Sequence, residues 1–212
     1  MTSTRRLLLA AALPLALGLA VLAGCDRGPA APPPPPPHKF AAIDLTGAEY
    51  ARQFSLPDFD GKVRTLADFK GKVTAVFFGY TQCPDACPTT MAELAGVAKT
   101  LGPDASRLQV VFITVDPARD TPGLLKAYVT NFRPDFLALR GDDAQTREVA
   151  KEFKVFYEKV PGKTPETYTM DHTAGVYIFD PQGRIRLFAR QNMDPGQLAG
   201  DIQALLAQSH AA

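Results

Sequence analysis

Two apolar runs of strand composition bracket a stretch of helical periodicity, and that arrangement leaves few folds open. Val73 to Gly79 is dense in β-branched and aromatic residues. A short run of this kind reads as a central strand buried on both faces. Leu108 to Val115 reads the same way. Between them Met91, Leu94, Val97, Ala98 and Leu101 recur at helical spacing, and Gly102 closes the run. Strand, helix, strand is a right-handed crossover in a parallel sheet.

The flanking pattern extends this unit. Order is expected from about Phe40. Gln53–Leu56 and Lys62–Thr65 flank Asp58-Phe59-Asp60-Gly61, an N-terminal hairpin signal. Thr121-Pro122 opens a second helix with Leu124, Leu125, Tyr128 and Phe132 as its buried stripe. Phe136–Leu139 reads as a short strand. Asp142-Asp143 start a third helix running to about Phe153, and Lys154–Val160 is again extended. Ala174–Phe179, a turn at Asp180-Pro181-Gln182-Gly183, and Arg184–Ala189 make a second hairpin. Asp194-Pro195 then begins a terminal helix carrying Leu198, Ile202, Leu205 and Leu206 on one face. The fold class is α/β: a central mixed sheet with a βαβ half and a ββα half, which is what a thioredoxin-like domain looks like.

Residues 1–24 read as an address label. Arg5 and Arg6 precede an apolar run from Leu7 to Gly24, broken by Pro14. Leu22-Ala23-Gly24-Cys25 puts small residues before a cysteine, which resembles a bacterial lipoprotein signal. Cys25 is then the expected mature N-terminus and site of lipidation. Asp26 after it resembles an inner-membrane retention signal. An uncleaved anchor helix is the other reading, although the run is near the lower limit of a span. Either way the expected location is the periplasmic side of a bacterial cytoplasmic membrane. Residues 25–39 form a linker. The six prolines Pro32–Pro37 favour a stiff polyproline helix rising about 3.1 Å per residue, roughly 19 Å in all. The domain itself is expected over 40–212.

Charge excludes one class of partner. The chain has 23 basic and 22 acidic residues. Losing the signal removes only Arg5 and Arg6, leaving 21 against 22. Nothing there attracts nucleic acid. No apolar stripe is left over, so a monomer is expected.

With Cys25 spent on lipid, Cys83 and Cys87 remain, in Tyr80-Thr81-Gln82-Cys83-Pro84-Asp85-Ala86-Cys87-Pro88. They fall between the first buried strand and the first helix, at the sheet edge where open α/β folds place their sites. Pro88 suits a first helical turn, which puts Cys87 at or near the N-cap. A helix N-terminus favours the thiolate, the form that attacks disulfides and binds metals. A disulfide needs Cβ atoms about 3.5–4.5 Å apart, and helical i,i+4 neighbours stand about 5–6 Å apart. A loop can close that gap or hold the sulfurs open around a metal, so both chemistries stay open. A purely structural disulfide would clip a tiny loop to little effect. Structural zinc would want four ligands, and there is no second cysteine pair.

Of three histidines, His38 lies in the linker and His210 in the terminal tail, and both read as solvated. His172 differs. It sits in Tyr168-Thr169-Met170-Asp171-His172-Thr173-Ala174, read as a loop just before a buried strand. Two thiolates and an imidazole make a soft set that selects copper over magnesium or calcium. Asp116, at the end of a strand on the same edge, is expected either to orient the site from behind its ligands or simply to start an Asp-Pro turn. Met170 offers a thioether, though a loop methionine usually packs.

Phe77-Phe78-Gly79-Tyr80-Thr81, the Cys83-to-Cys87-Pro88 loop, Thr114-Val115-Asp116-Pro117-Ala118-Arg119-Asp120-Thr121-Pro122, and Asp171-His172-Thr173-Ala174 with Asp180-Pro181-Gln182-Gly183-Arg184 together resemble the Sco/SenC family over about residues 50–208. The resemblance implies a thioredoxin fold. It implies copper, Cu(I) or Cu(II), bound through Cys83, Cys87 and His172. It further implies a role in assembling the dinuclear copper centre of cytochrome c oxidase. The implied partners are the copper-bearing oxidase subunit and a periplasmic copper donor or thiol reductant. The implied activity is either copper delivery as a metallochaperone or thiol–disulfide reduction, with Cys83 attacking and Cys87 resolving. Ordinary thioredoxins place two residues between their cysteines and a cis-proline before the following strand. Here there are three, and Thr173 stands in that place.

Overall fold

The computed structural model describes residues 38–164 and 167–209. The signal peptide, Cys25, the proline run and His210 lie outside the described residues. Among the described residues no helix is long and apolar enough to cross a membrane.

The elements are β1 (Ile43–Asp44), β2 (Leu56–Pro57), β3 (Val63–Arg64), β4 (Val73–Gly79), α1 (Ala86–Leu101), β5 (Leu108–Thr114), α2 (Pro122–Phe132), β6 (Leu137–Leu139), α3 (Asp143–Glu152), β7 (Tyr157–Val160), β8 (Thr169–His172), β9 (Gly175–Phe179), β10 (Ile185–Arg190) and α4 (Pro195–Gln208). Six strands form one sheet in the order β1-β10-β9-β4-β5-β6. β4 pairs parallel with β5, and β5 with β6, while β9 runs antiparallel to β4. The mixed thioredoxin-like sheet expected from the pattern is therefore present.

All seven residues of β4 are buried, as a strand with neighbours on both sides and helices over it must be. Successive side chains separate to different partners. Phe77 packs on Phe112, with ring centroids 6.0 Å apart. Phe78 packs on Phe153 at 5.2 Å and Tyr177 at 6.3 Å. Each such ring contributes about 1.5–3 kcal/mol by burial alone. On β5, Val110 to Thr114 are buried without a break. Helix α1 packs along α4, and the Met91, Leu94, Val97, Ala98 and Leu101 stripe read from the sequence is buried.

The caps explain several boundaries. Thr121 accepts the Leu124 N–H and Pro122 fills the first turn of α2. Asp142 and Gln145 form a reciprocal capping box on α3. Asp194 caps α4 through the Gln197 N–H at 2.9 Å. The N-terminal hairpin β2–β3 turns through Gly61, whose φ of +84° a side chain would strain. Asp58 holds that turn by accepting from Asp60 N–H, Lys62 N–H and Arg64 Nε.

Three expectations need correction. The buried stripe of α2 is Leu125 and Val129, whereas Leu124 is 51% exposed. With Leu125 anchoring the helix, its i+4 neighbour Val129 shares the inner face and Leu124 is turned outward. β1 escaped notice because two exposed residues carry no periodicity. Thr169–His172 is not a loop but a strand, β8, paired antiparallel with β7 in a separate ribbon, with Tyr157 opposite His172. Its signal was present: Tyr168 and Met170 are buried while Thr169 and Asp171 are exposed, a period of two.

The chain enters the fold at a clasp. Asp201, 1% exposed on α4, accepts the Ala42 N–H at 2.8 Å and the Ala41 N–H at 3.1 Å. His38 Nε2 lies 3.2 Å from the same carboxylate. The sequence reading of His38 as simply solvated misses this partner.

Candidate metal centre

β4 ends at Gly79, and the chain turns through Tyr80 to Asp85 before α1 begins. The Cys83 N–H bonds back to the Tyr80 carbonyl at 3.3 Å, closing that turn. Gly79 is required at the strand end: a Cβ there would stand 2.8 Å from Cys87 Sγ and 2.9 Å from Phe112. The sulfur of Cys87 thus sits where a side chain would otherwise be.

Helix α1 starts earlier than Pro88 suggests. Its N-cap is Asp85, so Cys87 is the second helical residue and Pro88 the third. The first four N–H groups of a helix have no internal acceptor, so proline is tolerated through this turn as well as at its first position. Asp85 makes no side-chain cap bond. Instead the Cys87 N–H donates to Cys83 Sγ at 3.4 Å. The helix N-terminus is therefore aimed at Cys83 and not, as expected, chiefly at Cys87.

The two sulfurs differ accordingly. Cys83 is half-buried and Cys87 fully buried, and both are free thiols. The Cys87 thiol, then His172, then the Asp85 and Cys87 N–H groups hold the Cys83 thiolate down to about 3, against the opposing effect of burial. Cys87 is pushed far up, first by its bond to the Cys83 sulfur and then by burial. Cys83 carries the charge and Cys87 keeps its proton. Alkylation of metal-free reduced protein by iodoacetamide should show this. A free thiol gains about tenfold in thiolate per pH unit below its pKa. Cys83 is ionised throughout pH 5–8, so its rate should change less than about threefold across that range. A tenfold rise per unit, read by mass spectrometry of the Cys83 peptide, would contradict the assignment.

His172 closes the group. Its Nε2 lies 3.5 Å from Cys87 Sγ. Its Nδ1 lies 3.1 Å from the Thr173 carbonyl oxygen. A carbonyl only accepts, so Nδ1 carries a proton there, and that bond turns Nε2 toward the sulfurs. Phe77 and Tyr80 set the ring edge-on at 6.1 and 6.0 Å. Thr173 has its N–H committed to the Phe156 carbonyl at 2.9 Å, and its hydroxyl accepts the Phe156 N–H at 3.0 Å. A proline in this place would lack that N–H.

One donor atom from each of Cys83, Cys87 and His172 lies within 4.8 Å of the other two. Two sulfurs and one imidazole nitrogen form a soft donor set, suited to copper and unsuited to magnesium or calcium. Met170 packs in the core at 8% exposure. His38 bonds Asp201 at the entry clasp.

Asp116 is buried but bonds none of these three residues. It accepts the Tyr168 hydroxyl at 2.8 Å and pairs with Arg119. Its role in the site is indirect, through those two side chains. The carboxylate under the cysteine loop is instead Asp120, fully buried, which accepts the Thr81 hydroxyl at 2.6 Å and the Thr81 N–H at 3.2 Å, and bonds Thr114. Burial raises its pKa, opposed by the Thr114 and Thr81 bonds. Sequence reasoning passed over Asp120, Arg119 and Tyr168, although all three stand inside the quoted motifs. A charged pair after an Asp-Pro turn was the available signal.

A thioredoxin-like sheet with two free cysteines on its first βα turn and a histidine brought against them defines a thiol–imidazole protein of the thioredoxin class. The comparisons with known proteins narrow this. The SCO1/SenC family matches over residues 44–207, and the chain belongs to that family. A SCO2-like protein of Rickettsia prowazekii is 38% identical over 132 residues, covering 62% of this chain and 64% of that one. The chain thus spans just under two thirds of the length of that curated relative. Among solved structures, ScoI of Bradyrhizobium japonicum with copper bound is 42% identical with a TM-score of 0.66, covering 71% of this chain and 96% of that one. Apo Sco1 of Thermus thermophilus is 36% identical with a TM-score of 0.71, covering 79% and 98%.

Proposed function

We propose that this protein is a copper metallochaperone for the dinuclear copper centre of cytochrome c oxidase. Cys83, Cys87 and His172 are its copper ligands. The observation that carries the reading is the convergence of two sulfurs and His172 Nε2 within 4.8 Å. The copper-bound relative adds support. Copper(I) is held by the two thiolates, and copper(II) recruits the imidazole as well. Cys83, the half-buried ligand, is where an acceptor's thiolate enters, so copper passes by stepwise thiolate exchange. Lipid on Cys25 and the stiff proline run would hold the domain at the periplasmic face of the cytoplasmic membrane, within reach of a membrane-embedded acceptor.

A second reading is a thiol–disulfide reductase acting on the same acceptor's cysteines. The low pKa of Cys83 beside a protonated Cys87 favours it. The Cys83 thiolate attacks the acceptor disulfide and releases one acceptor thiolate. Cys87, deprotonated, then attacks Cys83 sulfur and releases the second. The chain is left as the Cys83–Cys87 disulfide, and an exported dithiol must reduce it again.

One experiment separates the two. The full chain carrying one copper is mixed anaerobically with a metal-free oxidase copper domain whose cysteines are already reduced. A chaperone transfers its copper. No transfer to the reduced acceptor, combined with reduction of an oxidised acceptor by metal-free protein, would leave the reductase reading standing alone.

A further inference from the structure

We propose that Arg119 is a positioning residue that sets the distance between His172 and the cysteine pair, and so governs copper(II) binding more than copper(I). The proposal rests on the copper reading above. The cysteines and the histidine stand on separate pieces of structure. Cys83 and Cys87 belong to the β4–α1 turn, whereas His172 ends β8 in a two-stranded ribbon that is not hydrogen-bonded into the main sheet. Something must hold the ribbon against the turn.

Arg119 touches both, and a third segment as well. Its Nη1 donates to Gln82 Oε1 at 3.1 Å, beside Cys83. The same nitrogen donates to the Tyr168 carbonyl at 2.9 Å, one residue before β8. Its Nε pairs with Asp116 at the end of β5. The guanidinium lies 3.5 Å from the centre of the Tyr168 ring and 5.7 Å from that of Tyr80, whose edge in turn meets His172. Lys159 Nζ comes within 3.7 Å of the Tyr168 ring, so two cations share that aromatic. The Tyr168 hydroxyl donates to Asp116. Its pKa is raised to about 12, chiefly by burial, so the donor is present at any physiological pH.

A planar fork with several donors is what bridges three segments from one side chain. Lysine, a point charge on a flexible stem, cannot bond Gln82, the Tyr168 carbonyl and Asp116 in this geometry. Without the fork, the ribbon keeps its own β7–β8 pairing and its bonds at Phe156 and Thr173, but loses the Arg119 bonds that join Tyr168 to Gln82 in the cysteine turn. Two thiolates on one turn do not need that tie. The imidazole does.

Two measurements on the full chain test this, using Arg119→Gln and Arg119→Lys. The first needs no metal. In reduced protein, amide hydrogen exchange at Thr169–His172 should quicken at least tenfold in both variants, while β4 and β5 amides stay protected. The second uses copper alone. Copper(II) affinity should fall at least tenfold with a changed electron paramagnetic resonance spectrum, while copper(I) affinity stays within about threefold. Adding Arg119→Gln to His172→Ala should cost copper(II) nothing further, because Arg119 acts only through the imidazole contact that is already gone. Unchanged exchange in the ribbon would overturn the proposal whatever the metal does. So would an equal loss of copper(I) and copper(II), the mark of a general structural role. Failure of the unsubstituted chain to bind copper would sink the metallochaperone reading and this proposal's copper arm together, with the exchange result still deciding whether Arg119 positions the ribbon.

Discussion

His172→Ala should weaken copper(II) binding by at least a hundredfold, about 2.7 kcal/mol at 1.36 kcal/mol per decade, while copper(I) binding changes less than tenfold. Copper(II) draws on imidazole nitrogen as well as sulfur, and His172 is the histidine the described residues bring to the sulfurs. Its Nε2 is already pointed at Cys87 by the Nδ1–H bond to Thr173, so no reorganisation offsets the loss. Copper(I) accepts two thiolates alone, and Cys83 and Cys87 remain. Isothermal titration with copper(II), and competition against a copper(I) chelator under anaerobic conditions, read the two affinities. Equal losses for both ions, or no loss for copper(II), would refute the three-ligand site. The variant should still reduce a small disulfide substrate, since Cys83 keeps its bonds to the Cys87 thiol and the Asp85 and Cys87 N–H groups. Some rise in the Cys83 pKa is expected, because His172 is the second of the favourable contacts that lower it.

Phe153→Ala should be the most damaging single core truncation, at about 3–5 kcal/mol. Phe153 is fully buried just past the end of α3. Its ring meets Phe78 at 5.2 Å, Tyr177 at 5.4 Å, Phe179 at 6.0 Å and Phe54 at 6.4 Å. These partners come from β4, β9 and the segment before β2, and the Tyr177 hydroxyl also bonds the Phe153 carbonyl at 2.9 Å. No neighbour can fill the void without breaking another aromatic contact. In a domain of this size each kcal/mol moves Tm by about 2–4 °C, so a fall of roughly 10 °C is expected by circular dichroism. A fall under about 3 °C would mean the cluster repacks. Copper affinity well below the transition should be nearly unchanged, because the ring lies on the Phe78 side of β4 and the metal ligands on the Phe77 side.

The legible parts of this chain were those with a strong local period or an end signal. β4 and β5 were plain from composition, α1 and α4 from their apolar spacing and end signals, and α3 from the Asp142-Asp143 that opens it. Cys83, Cys87 and His172 could be singled out because cysteine and histidine are scarce and sit at element ends. Long-range pairing was not legible. Nothing local shows that Tyr157 stands opposite His172, or that the strand holding His172 leaves the main sheet. The α1 start was misplaced by a signal that several positions of a first turn satisfy equally. Asp116 was half understood: its place on the sheet edge was foreseen, but its burial was not, and its partners, Arg119 and Tyr168, are contacts across 3 and 52 residues. Only the folded chain reveals which of two acids in one motif faces the cysteine loop.

The clasp at Asp201 has a mechanical consequence. β1 is an edge strand of two residues, three strands away from β4, and so short a pairing would peel first under tension. A pull on the chain ahead of residue 38 is not delivered to that pairing. It meets the Asp201 carboxylate, which grips His38 and the Ala41 and Ala42 N–H groups, and through it the full length of α4. Load spreads into the packed α1–α4 pair. A domain built this way can be held taut by its leading segment while the cysteine turn and its histidine stay in register.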